Sequence, residues 1–341
     1  MSGRCDVAIV GGGPVGLLLG CQLAQRGVAV RVLERELQPS TSSRAIGIHP
    51  PGLRCLAEVG VAEASISRGV CIQRALAFGD RRSLGGVSFT RVSGAYPFVL
   101  SLPQSETERV LSARLHELEP SVLQRGVEVT HVDDADGGSV LRLRSRADDA
   151  LTNLHARFVV GCDGKHSCVR EAAGIAYAGA PYQAHFVMVD TPDETPLGAA
   201  AAVFLGHAGL VESFPLPERL RRWVVAVTTP DPDPDPDQLA RVINQRTGQR
   251  ANCAAATMLS AFTAEHFLAA CFARRHIALA GDAAHVLSPI GGQGMNLGWL
   301  DARQLAPALV EALARPAQRD LLLGRYAAIT RRAARSATRR A

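Results

Sequence analysis

The chain has almost no lysine and lacks the signals of a secreted or membrane protein. Lys165 is the one lysine among 37 basic residues in 341. No run of about twenty apolar residues occurs, so the sequence predicts no integral membrane segment. The N-terminus has no charged leader region with a cleavage site, and its apolar stretch predicts a first strand. We therefore expect a cytoplasmic protein.

The cysteines and the basic residues also exclude several classes of protein. The eight cysteines form no CxxC pair, and several stand inside apolar runs. This pattern is typical of buried, reduced thiols, so we expect no metal site and no disulfide framework. The net charge is only +5, and basic residues do not gather into a stripe until the last dozen positions. Nucleic acid is therefore not an expected partner.

The first thirty-four residues have the pattern of a strand, a glycine turn, a helix, a second strand and an acid. Gly11 allows a sharp turn, Gly13 lets a pyrophosphate approach the backbone, and Gly16 lets the helix pack on the sheet. The helix directs its positive end at that phosphate. Glu34 stands where a carboxylate can bind a ribose diol. The segment predicts a dinucleotide site, with a ligand-free glycine turn as the alternative.

Two later segments combine acids and glycines. The sequence DGKHSCVR begins at Asp163 and ends at Arg170, just after a short apolar run. Asp282 ends a second apolar run, where its carboxylate can reach a ligand hydroxyl, and a glycine loop over 291–294 then opens a helix. The positive end of that helix would favour negative charge on a ligand. The alternatives are that either acid caps a turn and that Arg170 pairs with a surface acid.

With these three motifs in this order, the chain resembles the para-hydroxybenzoate hydroxylase-like, FAD-dependent (class A) flavoprotein monooxygenases. The resemblance covers most of the chain. It implies that the first motif binds the ADP half of FAD, that the DGKHSCVR segment lies near the pyrophosphate, and that the Gly281-Asp282 motif holds the ribityl portion. It also implies that Arg44 contacts FAD and gates its movement, and that Gln104 lies near the flavin.

The resemblance thus implies a set of FAD-binding residues and leaves the catalytic base unassigned. Arg44, Pro289, Gly291 and Gly292 are expected to position the reaction, and a structural role is favoured for His285. The expected cofactor-binding residues are Gly11, Gly13, Pro14, Val15, Gly16, Glu34, Arg35, Arg44, Gln104, Asp163, Gly281, Asp282, Pro289, Gly291, Gly292, Gly294, Met295 and Asn296.

The expected fold is a mixed α/β (α+β) one, with a Rossmann-like FAD-binding domain and an interleaved antiparallel-sheet substrate domain. The FAD-binding domain would span 1–174, with a substrate-side insertion near 70–103, and return over 276–341 with C-terminal helices. The substrate domain would span 175–275, where segments of alternating polarity begin. The candidate substrate-lining residues, which this alternation does not phase, are His185, Met188, Phe204, His207, Phe214 and Trp223.

The resemblance implies a monooxygenase that hydroxylates an aromatic or related activated ring, using NAD(P)H and O₂ through a flavin C4a-hydroperoxide. There is no second GxGxxG motif, so NADPH or NADH would bind transiently. The expected substrate is a small aromatic molecule, and the protein a monomer or homodimer. The alternatives are a flavin-dependent reductase or dehydrogenase similar to the prenyl reductases, and a non-catalytic flavin-binding scaffold. The chain stops soon after Arg332, where family members continue with further helices.

Overall fold

The structure is a computed structural model that describes residues 3–39, 45–80, 82–135, 137–289 and 291–339. Its strands are β1 (Gly3–Val10), β2 (Val30–Glu34), β3 (Gly47–Ile48), β4 (Val70–Ile72), β5 (Arg74–Gly79), β6 (Arg82–Ser88), β7 (Val99–Ser101), β8 (Leu123–Arg125), β9 (Val127–Ala135), β10 (Gly138–Ser145), β11 (Leu151–Gly161), β12 (Tyr177–Pro192), β13 (Ala201–Gly206), β14 (Gly209–Leu216), β15 (Leu220–Val227), β16 (Met258–Ala269), β17 (Ala273–Arg274), β18 (Ile277–Leu279) and β19 (His285–Val286).

In the part of the chain that the structure describes, eight α-helices connect and cover these strands. They are α1 (Pro14–Ala24), α2 (Pro50–Glu58), α3 (Ala62–Ile66), α4 (Gln104–Leu118), α5 (Cys168–Ala172), α6 (Pro236–Thr247), α7 (Gln293–Ala314) and α8 (Arg319–Thr338). Among the described residues, no helix is both long enough and apolar enough to cross a membrane.

The first sheet is parallel at its centre. Its order is β17-β18-β11-β1-β2-β8, and β10 and β9 extend it from β11. β1 pairs in parallel with both β2 and β11, and its residues Val7, Ala8 and Ile9 are fully buried. Strands buried on both faces read as continuous apolar runs. Because β1, β11 and β18 run parallel, their carboxyl ends lie at one edge of the sheet, which is where such sheets bind ligands.

The second sheet is almost entirely antiparallel, in the order β19-β16-β12-β15-β14-β13-β5-β6. The exception is the parallel pair of β13 and β5. One face is covered by α6, whose Leu239 and Ile243 pack on Val187, Trp223 and Val225. A small third sheet, β3-β7-β4, contacts β14, where the Ser101 hydroxyl donates to the Pro215 carbonyl at 2.6 Å.

The chain visits the sheets out of sequence order. The hairpin of β5 and β6, from the stretch near 70–103, belongs to the second sheet, and β17 and β18 return the chain to the first. The mixed α/β architecture with one parallel and one antiparallel sheet is confirmed. The sheets follow the predicted segments, while the division into domains at 174 and 275 stays a prediction.

Candidate functional site

The first glycine turn is shaped by close backbone contacts and leaves one side open. Gly11 has φ +104°, and a Cβ there would lie 2.3 Å from the carbonyl oxygen of Cys162. A Cβ on Gly16 would lie 2.0 Å from the carbonyl oxygen of Gly11. By contrast, a Cβ on Gly13 would have no described atom within 4 Å. Gly11 and Gly16 therefore serve the fold, and Gly13 faces free space at the start of α1.

Glu34 lies directly behind this turn. Its Oε2 accepts the N–H of Gly12 at 2.7 Å, and its Oε1 accepts the N–H of Glu36 at 2.9 Å. A Cβ on Gly12 would lie 2.8 Å from the Cβ of Glu34, so this glycine, which sequence reasoning missed, makes room for the carboxylate. Each carboxylate oxygen keeps a lone pair for a further donor. Arg35 is exposed and pairs with Glu36 at 3.2 Å.

The start of α1 is held against the last third of the chain. The Trp299 indole N–H donates to the carbonyl of Pro14 at 3.0 Å. Val15 packs so closely that a Cβ on Gly281 would lie 3.0 Å from its Cγ2, and one on Gly298 would lie 2.5 Å from it. The first motif and the Gly281-Asp282 motif therefore meet, and part of Val15 is used for this packing.

The side chain of Asp163 stabilises the turn of the second motif. Its Oδ2 accepts the N–H of Val169 at the start of α5, at 3.2 Å. Its Oδ1 is buried and has no hydrogen-bond partner among the described residues. Burial raises the pKa of this carboxyl, against hydrogen bonds from Ser167 and the backbone that lower it. The side chain thus serves the turn, and the backbone N–H of Asp163 lies at the Gly11 turn.

Arg170 joins the second motif to the third and does not pair with a surface acid. The residue is buried, and its guanidinium donates to the carbonyls of Ala283 at 3.1 Å and Lys165 at 2.9 Å. The guanidinium carbon also lies 3.9 Å from the ring centroid of Tyr177. The Tyr177 hydroxyl in turn donates to the carbonyl of Asp282 at 2.7 Å. Tyr177 had no sequence signal, because its role depends on a contact 105 residues away.

We expect Arg170→Lys to lower the free energy of unfolding by about 2 kcal/mol, because an ammonium cannot replace the two planar, diverging donors or the stacked face. Urea unfolding followed by circular dichroism measures the change. Arg274→Lys is the matched control, since Arg274 is exposed and its side chain donates a hydrogen bond to the carbonyl of Ala173. An Arg170→Lys effect as small as that of Arg274→Lys would contradict the assignment.

A buried ion pair holds the turn at Gly281. His285 Nε2 lies 2.6 Å from Asp301 Oδ2, with side-chain exposures of 0% and 1%. The same oxygen accepts the N–H of Gly281 at 3.1 Å. Burial by itself lowers the pKa of His285, but the charge and hydrogen bond of Asp301 outweigh it and the pKa is raised. His285 therefore has the structural role favoured for it, and Asp301 is a partner that sequence reasoning missed.

Asp282 presents an unpaired carboxylate next to this turn. Its side chain is accessible to solvent, and none of the described residues hydrogen-bonds its carboxylate. Enough protein surrounds the group that desolvation raises its pKa, although the charges of His285 and Lys165 lower it. Asp282 is thus the acid of the third motif whose side chain is free to bind a ligand.

The glycine loop ends in an uncapped helix N-terminus. Gly292 has φ +60° and is the N-cap of α7, and its N–H donates to the carbonyl of Pro289 at 2.9 Å. His49 anchors the loop from outside, with Nε2 2.9 Å from the carbonyl oxygen of Gly291. The helices α1 and α7 lack both a side-chain cap and an acidic residue in the first turn. Both positive ends are therefore available to a negatively charged ligand.

Asn296 fastens the loop and has little capacity left for a ligand. Its Oδ1 accepts the N–H of His49 at 2.9 Å, and its Nδ2 donates to the carbonyls of Gly47 and Gly292, both at 2.9 Å. Gly294 faces open space, and Met295 is half-buried against the main core. Within this segment, the positions open to a ligand are thus mainly backbone ones.

Gln104 lies at the start of α4, next to Ala45. The Gln104 backbone N–H donates to the carbonyl of Ala45 at 3.0 Å, and its side chain donates to Glu108 Oε1 at 2.8 Å. Arg44 precedes Ala45 but lies outside the described residues, so its predicted role stays a prediction.

The structure shows where the six candidate substrate-lining residues lie on the second sheet. Phe204 and Trp223 pack on the face of the second sheet that α6 covers. His185 bonds to Thr263 at 2.9 Å, and His207 is exposed at a turn and pairs with Asp80. Met188 and Phe214 lie on the opposite face, in a small apolar cluster. Among the six candidates, these two thus belong to the face opposite α6.

The chain matches a family of known proteins over nearly its whole length. A family model described as an FAD binding domain matches residues 4–341. The chain is 33% identical over 95% of its length to 6-methylpretetramide 4-monooxygenase of Streptomyces rimosus, and covers 58% of that protein. It is 28% identical over 90% of its length to para-nitrophenol 4-monooxygenase of a Pseudomonas species, and covers 78% of that protein.

The fold matches a solved structure closely. The crystal structure of p-nitrophenol 4-monooxygenase from Pseudomonas putida superposes with a TM-score of 0.86 at 25% identity, covering 98% of this chain and 87% of that one. The chain spans about three fifths of the length of several curated relatives, 58%, 62% and 63% of three of them.

Proposed function

The chain belongs to the FAD binding domain family, in the class A flavoprotein monooxygenases, and from this premise we propose that it takes part in the hydroxylation of an aromatic ring with NADPH or NADH and O₂. One observation carries the proposal. The contacts of Val15 with Gly281 and Gly298, and the hydrogen bond from Trp299 to Pro14, hold the first motif against the segment that carries Asp282 and against α7.

The residues of the first turn fit the ADP half of FAD. Gly13 leaves free space at the end of a helix whose first turn has no side-chain cap. A pyrophosphate in that space would accept backbone N–H bonds and meet the positive end of α1. Glu34 has oxygens that are each used once by the protein, so a ribose diol could donate to them.

The residues of the last motifs fit the flavin half. The Asp282 carboxylate is free to accept from ribityl hydroxyls, while Tyr177 holds its backbone carbonyl and Arg170 holds that of Ala283. The uncapped start of α7 would favour negative charge on the ring, as in a reduced flavin. His49 and Asn296 fix the loop so that this orientation needs no reorganisation.

The sheet supplies a substrate platform. Met188 and Phe214 lie on the apolar face that α6 does not cover. A flat aromatic ring would lie on such a face and be shielded from water by it. Bound FAD would supply the redox chemistry, accepting a hydride from the nicotinamide and activating O₂. The protein's part is to hold the substrate ring against the flavin and to exclude water.

Oxygen incorporation tests this proposal. We expect the FAD-loaded protein to oxidise NADPH or NADH faster when a phenol that it accepts is present, and isotopically labelled O₂ to appear in the product. Para-nitrophenol and polyketide-like phenols form the first panel. Reduction or desaturation of the substrate without label would identify a reductase. Flavin binding without any stimulated oxidation across the panel would identify a non-catalytic flavoprotein.

A further inference from the structure

The face of the second sheet opposite α6 is mainly apolar, and its polar members are Glu212, Ser260, His266 and the ion-paired Asp190 and Arg222. Side chains of even-numbered residues on β12, β14, β15 and β16 form this face, as the period of two in a strand requires. Its apolar members are Tyr182, Ala184, Phe186, Met188, Leu210, Phe214, Val224, Ala226, Met258, Phe262 and Ala264. Glu212 stands between Leu210 and Phe214 on β14 and therefore projects from the same face.

The Glu212 carboxylate has no partner among the described residues. Its cross-strand neighbours are Val203 on β13 and Val224 on β15, neither of which can donate a side-chain hydrogen bond. The residue is half-buried, and desolvation alone raises the pKa of its carboxyl. A half-buried acid without a donor has lost part of its hydration uncompensated, and a ligand that donates a hydrogen bond would restore it.

Two neighbouring carboxylates show the contrast. Asp190 binds the Arg222 guanidinium in a bidentate pair, at 2.6 and 2.7 Å. Asp193 lies 3.0 Å from Nε of Arg221. The sheet therefore neutralises these acids with arginine where they serve the fold, and Glu212 differs from them.

Glu212 also lies on the strand that reaches the flavin side. Pro215, three residues further along β14, accepts the Ser101 hydroxyl at 2.6 Å. Ser101 pairs with Gly47, whose carbonyl accepts from Asn296 in the glycine-loop helix. Three residues of strand span about 10 Å. Glu212 therefore lies about 10 Å along β14 from the contact with the small sheet that supports the loop, a distance that an aromatic ring system could span.

We propose that Glu212 binds the hydroxyl of a phenolic substrate, whose ring lies on the surrounding apolar face. The inference rests on the proposed function and narrows its substrate class to aromatic rings that carry a hydrogen-bond donor. A site built to bind a hydroxyl rejects an analogue without one, because the buried acceptor is left unpaired. An ether of the same ring would therefore bind worse, although it is more apolar.

Equilibrium binding without NAD(P)H tests this assignment. The FAD-loaded protein is titrated with para-nitrophenol and alizarin and with their methyl ethers, and binding is followed by the change in flavin absorbance. We expect at least one phenol to bind about tenfold more tightly than its ether, in line with one hydrogen bond to a charged acceptor. Glu212→Gln should reduce this preference, and Glu212→Leu should abolish it.

Glu218→Gln is the matched control, because Glu218 is exposed at the turn that follows β14 and receives the same change. It should keep the full preference. Equal binding of phenol and ether, binding of neither phenol, or an unchanged preference in Glu212→Leu would overturn the assignment. Since no turnover is needed, a Glu212-dependent preference without oxygen incorporation would contradict the proposed function alone. Stimulated oxidation with a preference independent of Glu212 would contradict this inference alone.

Discussion

The Gly13→Ala variant is expected to fold almost as stably as the parent and to bind FAD about 10- to 100-fold more weakly. Gly13 has φ −76° and ψ −176°, which alanine adopts readily, and its added Cβ would meet no described atom within 4 Å. The free energy of unfolding of the apoprotein should change by about 1 kcal/mol or less. The methyl group would instead occupy the space assigned to the pyrophosphate, at a cost of about 1–3 kcal/mol in binding.

The contrast with Gly16→Ala makes the measurement specific. A Cβ on Gly16 would lie 2.0 Å from the carbonyl oxygen of Gly11, so this variant should lose stability with or without cofactor. Gly324→Ala is the neutral control, because Gly324 lies within α8 and faces open space. Denaturant unfolding of the apoproteins and titration of flavin fluorescence separate the two effects. Unchanged FAD affinity in Gly13→Ala would show that the pyrophosphate does not pass this residue.

The sequence predicted the fold class and the family because their signals are local. Gly11 is needed for its positive φ and Gly16 for its close approach to Gly11, and such requirements within one turn appear in the sequence as a fixed spacing. The match over residues 4–341 confirms the family resemblance. The roles of individual FAD-binding residues stay predictions, and Arg44 lies outside the described residues.

The partners that hold the motifs could not be predicted, because their contacts cross the chain. Tyr177 bonds to a backbone carbonyl 105 residues away, and His49 to one 242 residues away. A backbone acceptor imposes no residue type at its own position, so nothing in the sequence marks the pair. Asp301 is similarly hidden in a helix, and its role depends on where α7 lies against β18 and β19.

The substrate face could not be phased for a related reason. Alternation separates the two faces of one strand but does not say which face a helix covers. A register shift between Pro181 and His185 also breaks the alternation of β12. Phe204 on β13 lies on the same face as Val211 and Trp223, although its number is even, because it pairs with Val211 across the hairpin of β13 and β14. Strand pairing, which only the structure supplies, is what identified Glu212.

Asp301→Ala is expected to lower the free energy of unfolding by about 3–5 kcal/mol, the usual effect of removing one partner of a buried ion pair. The change would leave His285 without a charge partner, and the Nδ1 of its ring already has none among the described residues. It would also leave the N–H of Gly281 without its acceptor, so the turn before Asp282 should loosen. Denaturant unfolding measures the stability, and flavin titration measures the accompanying loss of FAD affinity.

The pH dependence of this loss distinguishes an ion pair from ordinary packing. Because the pKa of His285 is raised by Asp301, the folded protein holds a proton that the unfolded chain releases above about pH 6.5. The stabilisation by the pair is thus complete below that pH and declines as the pH rises through the raised pKa. The difference between parent and Asp301→Ala should therefore shrink in alkaline solution, and His285→Gln should lack this dependence. A difference that stays constant or widens with pH would mean that the imidazole is neutral, and that Asp301 supports the turn through the Gly281 N–H alone.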